Sequence, residues 1–451
     1  MTFRMFARIA ALCALLSFEA IAQSATDIAV LKGLAPVTVL SNTDAGNAAL
    51  GANYAVTGGI QTGVITQPTL QPFAEQQQQA LRDVFITDGN LAQLADGLGT
   101  TLDAAYLARA HYIDRERFTS LSQAVADVIA YANATTSANS TSGKFFFANE
   151  TTDGKTPASA EAMGILNRIG GSPDMFGRAY GLPAGAPGAD AYGNSRPFQT
   201  EPNVTRILGL DYFYSPADNI VYNRGPMMNL VNSPSYPSGH TTYGYTGAVV
   251  LAILVPERYP QMMVRGAEYG NDRIIVGAHY AMDVLAGRTL ALYDMAHLLA
   301  NDPAYVGQQL KDAPVIRDFQ AAVRKARADM TAALQTGCGN TIEVCAGEDT
   351  GRLSNRAANE TFYAATQTYN LPVVYPKNVG VLEDVGKLAP EAGYLLTVAF
   401  PSLTLEQADK ILTATEGPGG GFLDDGPPFG VYSRLNMYAA ARHAAQVIAG
   451  K

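Results

Sequence analysis

One stretch, Pro237 to Arg288, constrains the fold of this chain more than any other. It reads PSGHTTYGYTGAVVLAILVPERYPQMMVRGAEYGNDRIIVGAHYAMDVLAGR. Pro237-Ser238-Gly239-His240 has the composition of a tight turn and feeds an apolar run of helix length that stops at Pro256. After a break at Pro256 and Pro260, the pattern predicts a linking helix around Met262–Tyr269 and a further helix from about Asp272 to Ala300. Thr246 to Pro256 is the longest apolar run outside the N-terminus, and it is short enough for a buried helix.

The polar residues of this stretch carry chemistry. Ser238 and Gly239 stand where a helix leaves backbone N–H groups unpaired, and its dipole favours an anion there. Gly239 permits close approach of a ligand to the backbone. Arg273, His279 and Asp283 follow at spacings of six and four residues. On a helix, His279 and Asp283 would share a face, about 6 Å apart along the axis. A carboxylate so placed holds one imidazole nitrogen and leaves the other as a nucleophile. Arg273 adds a permanent cation whose planar fork suits phosphate. This set can support phosphoryl transfer without a metal ion.

Three blocks can be aligned: Arg196-Pro197 in GNSRPFQ, the complete PSGH of Pro237 to His240, and Arg273-x5-His279-x3-Asp283. The pattern resembles the type 2 phosphatidic acid phosphatase superfamily, which includes bacterial class A acid phosphatases and vanadium haloperoxidases. The family blocks are K-x6-R-P, P-S-G-H and S-R-x5-H-x3-D. Asp272 stands where the family has serine, and Ala189 where it has lysine. The similarity to the secreted class A enzymes runs through roughly residues 190–295. It implies a mainly α fold, a helical bundle with its site at helix ends and loops. It assigns His279 as the nucleophile that forms a phosphohistidine, Asp283 as its orienting partner and His240 as general acid and base. Ser238, Gly239, Arg196 and Arg273 would bind phosphate oxygens. Arg178 is the first candidate to replace the missing lysine, ahead of Lys155 and Arg206. The implied activity is metal-independent hydrolysis of small phosphomonoesters, with no cofactor, although vanadate or phosphate can occupy such a site. A vanadate-dependent haloperoxidase and a degenerate phosphate-binding protein are the alternatives. Homo-oligomers occur among relatives and are allowed here. An acidic optimum is expected, since His240 must be protonated to act as an acid and its ordinary pKa is about 6.5.

Composition narrows the setting. With 31 basic and 40 acidic residues, the net charge of −9 argues against a nucleic-acid partner. The N-terminus has the form of a secretory signal: Arg4 and Arg8, an apolar Ile9–Phe18 run, then Ala20-Ile21-Ala22. Residues 1–22 are therefore expected to be removed on export to the periplasm or beyond. No later run is long enough for a stable membrane span. Cys338 and Cys345 remain, and in an exported chain their six-residue separation predicts a disulfide.

The rest of the chain divides by pattern. Residues 23–75, rich in Ala, Thr, Gly and Val, read as an extended arm. Residues 76–300 read as the catalytic helical core, with helices expected over Asp88–Ala108, Phe118–Asn133 and Ala158–Ile169. Thr135–Thr156, rich in Ser, Thr and Asn, reads as a loop. Residues 301–451 carry no block of the pattern and are expected to pack on the core as an accessory lobe. That lobe should contain helices over Val315–Leu334, Leu403–Ala414 and Leu435–Ile448, with short strands within Tyr369–Leu388.

Overall fold

A computed structural model describes residues 25–35, 40, 43–65, 69–87, 89–168, 195–201, 204–220, 230 and 233–450. Within them the chain is mainly α-helical. The α-helices of eight or more residues are α1 (Ala25–Gly33), α2 (Asp44–Thr62), α3 (Phe73–Asp83), α4 (Thr100–Leu107), α5 (Gln123–Asn149), α6 (Ala160–Arg168), α7 (Gly239–Leu254), α8 (Tyr259–Ile275), α9 (Ala281–Leu299), α10 (Phe319–Cys338), α11 (Arg356–Thr366), α12 (Leu405–Ala414) and α13 (Met437–Ala449). One antiparallel pair is the only sheet among the described residues: β1 (Leu208–Leu210) against β2 (Pro216–Asp218), with Gly209 opposite Ala217.

Helix α7 is the centre of the bundle, packed by α5, α8 and α9. Its sequence is apolar on every side, so a stable position requires burial all round. Val249, Val250, Leu251, Ile253 and Leu254 are all buried, each worth about 1.5–3 kcal/mol. The helix starts where the Ser238 hydroxyl accepts a hydrogen bond from the Thr241 amide at 3.1 Å and ends ahead of Pro256, which cannot continue it. Small residues set the spacing. A Cβ on Gly244 would fall 2.1 Å from the Tyr269 ring of α8, and one on Gly287 of α9 would fall 2.5 Å from the Ser238 carbonyl. A side chain at either position would push the neighbouring helix away from the PSGH turn.

Three elements differ from expectation. Residues 23–75 are not an extended arm where they are described: α1 and α2 lie within them, and Thr43 caps α2 by accepting from the Gly46 amide at 3.0 Å. Alanine favours helix, and α2 hides its few polar groups by serving α9, where Thr57 and Asn53 accept from the Ala281 and Met282 amides. The Ser/Thr/Asn-rich stretch after residue 134 is helical to Asn149 as part of α5, not a loop. No strand occurs in Tyr369–Leu388; short helical turns take its place. The other expected helices are present with shifted ends, except that the helical region over Asp88–Ala108 is a short turn of helix, Leu94–Leu98, followed by Thr100–Leu107, and that the helix from Asp272 to Ala300 is interrupted. Residues 1–22 lie outside the described residues.

The buried side chains form one contiguous core from Val30 to Ala444. Polar contacts knit the C-terminal third to the central helices. Arg327 of α10 donates to the Ile253 carbonyl at the end of α7 (Nε 2.9 Å), and the Tyr259 hydroxyl donates to the Leu395 carbonyl at 3.0 Å. Cys338 and Cys345 form a disulfide that closes the end of α10 onto the following turn. No described helix is long and apolar enough to cross a membrane.

Candidate active site

Two adjacent helix termini build the site. Helix α8 ends with Arg273 in its last turn, and the chain then reverses at Gly277, whose φ of 75° is in the left-handed region. The Arg273 carbonyl accepts from the Ala278 and His279 amides at 3.0 and 3.2 Å. His279 is therefore fixed by the end of α8 and stands in the turn before α9. The expected single helix from Asp272 to Ala300 is two helices. The buried turn between them aims His279 back across the bundle. Asp283 sits in the first turn of α9, where its Oδ2 accepts from the Tyr280 amide at 2.9 Å. Its backbone carbonyl accepts from the Ser238 amide at 3.0 Å, which joins α9 to the PSGH turn.

The side chains converge on His279. Arg196 Nη1 lies 3.0 Å from His279 Nε2. A guanidinium only donates, so Nε2 accepts and the ring proton is assigned to Nδ1. That nitrogen faces Ser235 Oγ at 3.3 Å and Asp283 Oδ2 at 3.4 Å. Ser235 in turn donates to Asp283 Oδ2 at 2.5 Å. His240 Nδ1 reaches the same Nε2 at 3.2 Å. The Nε2 lone pair is thus held between an arginine and a second imidazole. Arg196, Arg273, His279 and Asp283 are fully buried, while His240 keeps 7% exposure.

Arg196 is oriented by carbonyls: Nε donates to Ser233 at 2.8 Å, Nη1 to Ala278 at 3.0 Å and Nη2 to Pro234 at 3.1 Å. Arg273 differs. All three of its side-chain nitrogens are buried and make no hydrogen bond. An unpaired buried guanidinium costs several kcal/mol, a cost that an anion placed beside it would offset.

A further cation was not anticipated. Lys144, on α5, places Nζ 3.5 Å from Ser233 Oγ, the same hydroxyl that Arg196 Nη2 approaches at 3.2 Å. A Cβ added to Gly239 would meet Lys144 Nζ at 3.3 Å and Ser140 Oγ at 3.4 Å, so the glycine leaves room for the ammonium beside the PSGH turn. Lys144 was missed because its surroundings read as a loop. The available signal was a helical spacing in small residues, with Thr135, Asn139, Ser142 and Phe146 all buried on α5. Of the expected substitutes, Arg178 lies outside the described residues, as does Ala189. Lys155 is exposed, and Arg206 is paired with Asp218 at 3.0 Å. Ser235 was also missed, since a lone serine before a proline-flanked turn carries no signal. Asp272 turns away from the cluster and accepts from Gln76 Nε2 at 2.7 Å.

The electrostatics follow from three cations around one carboxylate. Burial, then Arg273, Arg196 and Lys144, hold His240 well below its ordinary pKa. Burial, Arg196, His240 and Lys144 do the same to His279. The ordinary value near 6.5, on which the expected acidic optimum rests, is thus lowered by these surroundings. Burial pushes Asp283 up to about 6, against the bonds from Ser235 and Tyr280 and the charge of Arg196. Among the described residues, no group of three or more His, Cys, Asp or Glu is placed to hold a metal ion.

Part of the chain is similar to known proteins. Residues 187–300 match the PAP2 superfamily, the stretch that holds every member of the cluster except Lys144. The chain is 48% identical over 64 residues to the non-specific acid phosphatase of Salmonella typhimurium, covering 14% of this chain and 26% of that one. It is 45% identical over 64 residues to the acid phosphatase of Zymomonas mobilis, covering 14% and 24%. It is 42% identical over 72 residues to the non-specific acid phosphatase of Providencia stuartii, covering 16% and 29%. The matched segment thus spans about a quarter of the length of these curated relatives. Residues 187–300 carry a PAP2-superfamily domain that resembles the acid phosphatases.

Proposed function

We propose that this protein is an exported acid phosphatase that hydrolyses small phosphomonoesters through a phosphohistidine on His279. The supporting observation is the position of His279 Nε2, 3.0 Å from Arg196 and 3.2 Å from His240, beside the unpaired guanidinium of Arg273. Arg196, Arg273, Lys144 and the amides at the start of α7 bind the phosphoryl oxygens, where charge concentrates during transfer. His279 Nε2 attacks phosphorus as the ester P–O bond breaks, and His240 gives its proton to the departing oxygen. Asp283 and Ser235 keep the His279 proton on Nδ1 and stabilise the charge that the ring acquires. Water then attacks the phosphohistidine, His240 takes its proton, the P–N bond breaks and phosphate leaves.

Burial and the neighbouring charges of Arg273, Arg196 and Lys144 disfavour protonated His240, and an anionic substrate would favour it. A phosphate anion among the cations offsets the charges that depress both imidazoles. An acidic optimum follows, through proton uptake on binding. The disulfide and the sequence form of residues 1–22 support export. Vanadate is expected to compete as an analogue of phosphate, and the chemistry uses no cofactor.

The test is hydrolysis of p-nitrophenyl phosphate from pH 4 to 8 by the parent and by His279→Ala. Activity in the parent and its near-complete loss in a folded mutant support the reading. A folded parent without activity, or a mutant as active as the parent, overturns it.

A further inference from the structure

A cavity of about 350 Å³ lies between α9 and the loops of the C-terminal third. Its walls are mostly apolar, from Leu285, Leu371, Val373, Phe422 and Leu423. That volume falls within the ~300–1,000 Å³ typical of small-molecule sites. Leu285 and Arg288 project from the side of α9 away from Asp283 and Gly287, so this space is separate from the phosphate cluster.

Six polar side chains interrupt the apolar wall, Arg288, Thr289, Gln367, Thr368, Asn370 and Ser433, and two of them, Arg288 and Gln367, carry a buried nitrogen without a hydrogen-bond partner. Arg288 lines the cavity and is only 4% exposed. Its Nη2 donates to the Tyr363 hydroxyl at 2.9 Å and to the Leu435 carbonyl at 3.1 Å, while Nη1 makes no hydrogen bond. Its guanidinium lies 4.6 Å from the Tyr363 ring centre and 5.7 Å from that of Tyr245. Among the described residues no carboxylate forms a salt bridge with it; ring faces and neutral oxygens are its recorded partners. Gln367, 6% exposed, also lines the cavity, and its Nε2 lacks a partner. A buried cation without a counter-charge is costly, and an unpaired buried amide donor adds about 1–3 kcal/mol. Nothing in the proposed phosphatase chemistry uses either group.

We propose that this cavity binds an organic anion with an apolar body, such as an aromatic or medium-chain acid. The acid group would pair with Arg288 and Gln367, and the body would lie against Leu285, Leu371 and Phe422. The proposal does not rest on phosphatase activity, and an inactive protein could satisfy it.

The probe is 8-anilinonaphthalene-1-sulfonate, an aromatic sulfonate that fluoresces in apolar surroundings, titrated into the folded full chain. One saturable site is expected, unaffected by inorganic sulfate at concentrations that fill the phosphate cluster. Arg288→Met should weaken the probe at least about tenfold. Binding of the uncharged analogue N-phenyl-1-naphthylamine should be unchanged. Leu371→Trp, which fills the cavity from a half-exposed position, should block both probes and serves if Arg288→Met does not fold. The proposal is overturned if saturable binding is absent, if sulfate displaces the probe, or if either variant binds it as the parent does.

Discussion

At the residue scale, Arg196, Arg273 and Lys144 gather positive charge around His240 and His279. The site's pH dependence follows with a definite sign. Burial and the charges of Arg273, Arg196 and Lys144 lower the pKa values of His240 and His279. An anion bound there raises them again, so binding takes up a proton between the lowered pKa of the free site and the higher one of the complex. Sulfate keeps its charge through this range and is the cleaner probe. Its inhibition constant should rise about tenfold per pH unit across that window for one proton taken up, and a constant value from pH 5 to 8 would count against it. In the same assay Lys144→Gln should weaken sulfate and lower kcat/KM by on the order of 10²-fold, as for loss of one transition-state donor. Lys144→Arg should recover part of both. If Lys144 only held α5 in place, sulfate affinity would not follow its charge.

At the element scale, the termini of α8 and α9 position His279, so whatever holds α8 holds this cluster. Arg265 of α8 is that anchor. It is fully buried, and its Nη1 and Nη2 donate to the two oxygens of Asp83 at 2.7 Å each, while Nε reaches Asp96 at 2.6 Å. Arg352, from beyond α10, completes the network by donating to Glu268 of α8 at 2.9 Å and to Asp96 at 2.8 Å. Removing Arg265 alone leaves Asp83 and Glu268 buried with less compensation. Arg265→Met should therefore cost about 3–5 kcal/mol, read as a lower denaturant midpoint. A variant as stable as the parent would mean that Arg352 alone neutralises the cluster. The helix carrying Lys144 shows where local reading failed. Ser, Thr and Asn are weak helix formers, but in α5 they are buried, with Asn139 donating to Asp294 at 2.9 Å and Thr246 to Thr136 at 3.1 Å. Tertiary hydrogen bonds there outweigh local propensity.

At the scale of the whole molecule, one continuous core links the phosphatase-like segment to the C-terminal third. Arg288 of α9 donates to the Leu435 carbonyl, Tyr259 of α8 to that of Leu395 and Arg327 to that of Ile253. Cutting the chain after Ala300 would strip these partners and expose the apolar sides of α7, α8 and α9. The full chain should melt in a single cooperative calorimetric transition, and a fragment ending at Ala300 should show none. Two separated transitions, or a fragment that melts cooperatively, would establish an independent core.

Local chemistry made much of the centre legible. A turn of Pro, Ser and Gly before an apolar run names a buried helix from sequence alone. The spacing of Arg273, His279 and Asp283 likewise marks residues that one short segment can bring together. Other features needed the tertiary structure. Gly277 reverses the chain between α8 and α9, so His279 leaves the helix on which spacing had placed it. Lys144 and Ser235 join the cluster from elements whose sequences do not mark either residue, because a cation or a hydroxyl gains its setting only through its neighbours. The lowered pKa of His240 is likewise a property of burial among three cations. Sequence determined which residues could do the chemistry, through local propensity and pattern. Only the packing of distant helices decided which cations surround them and how their protons are held.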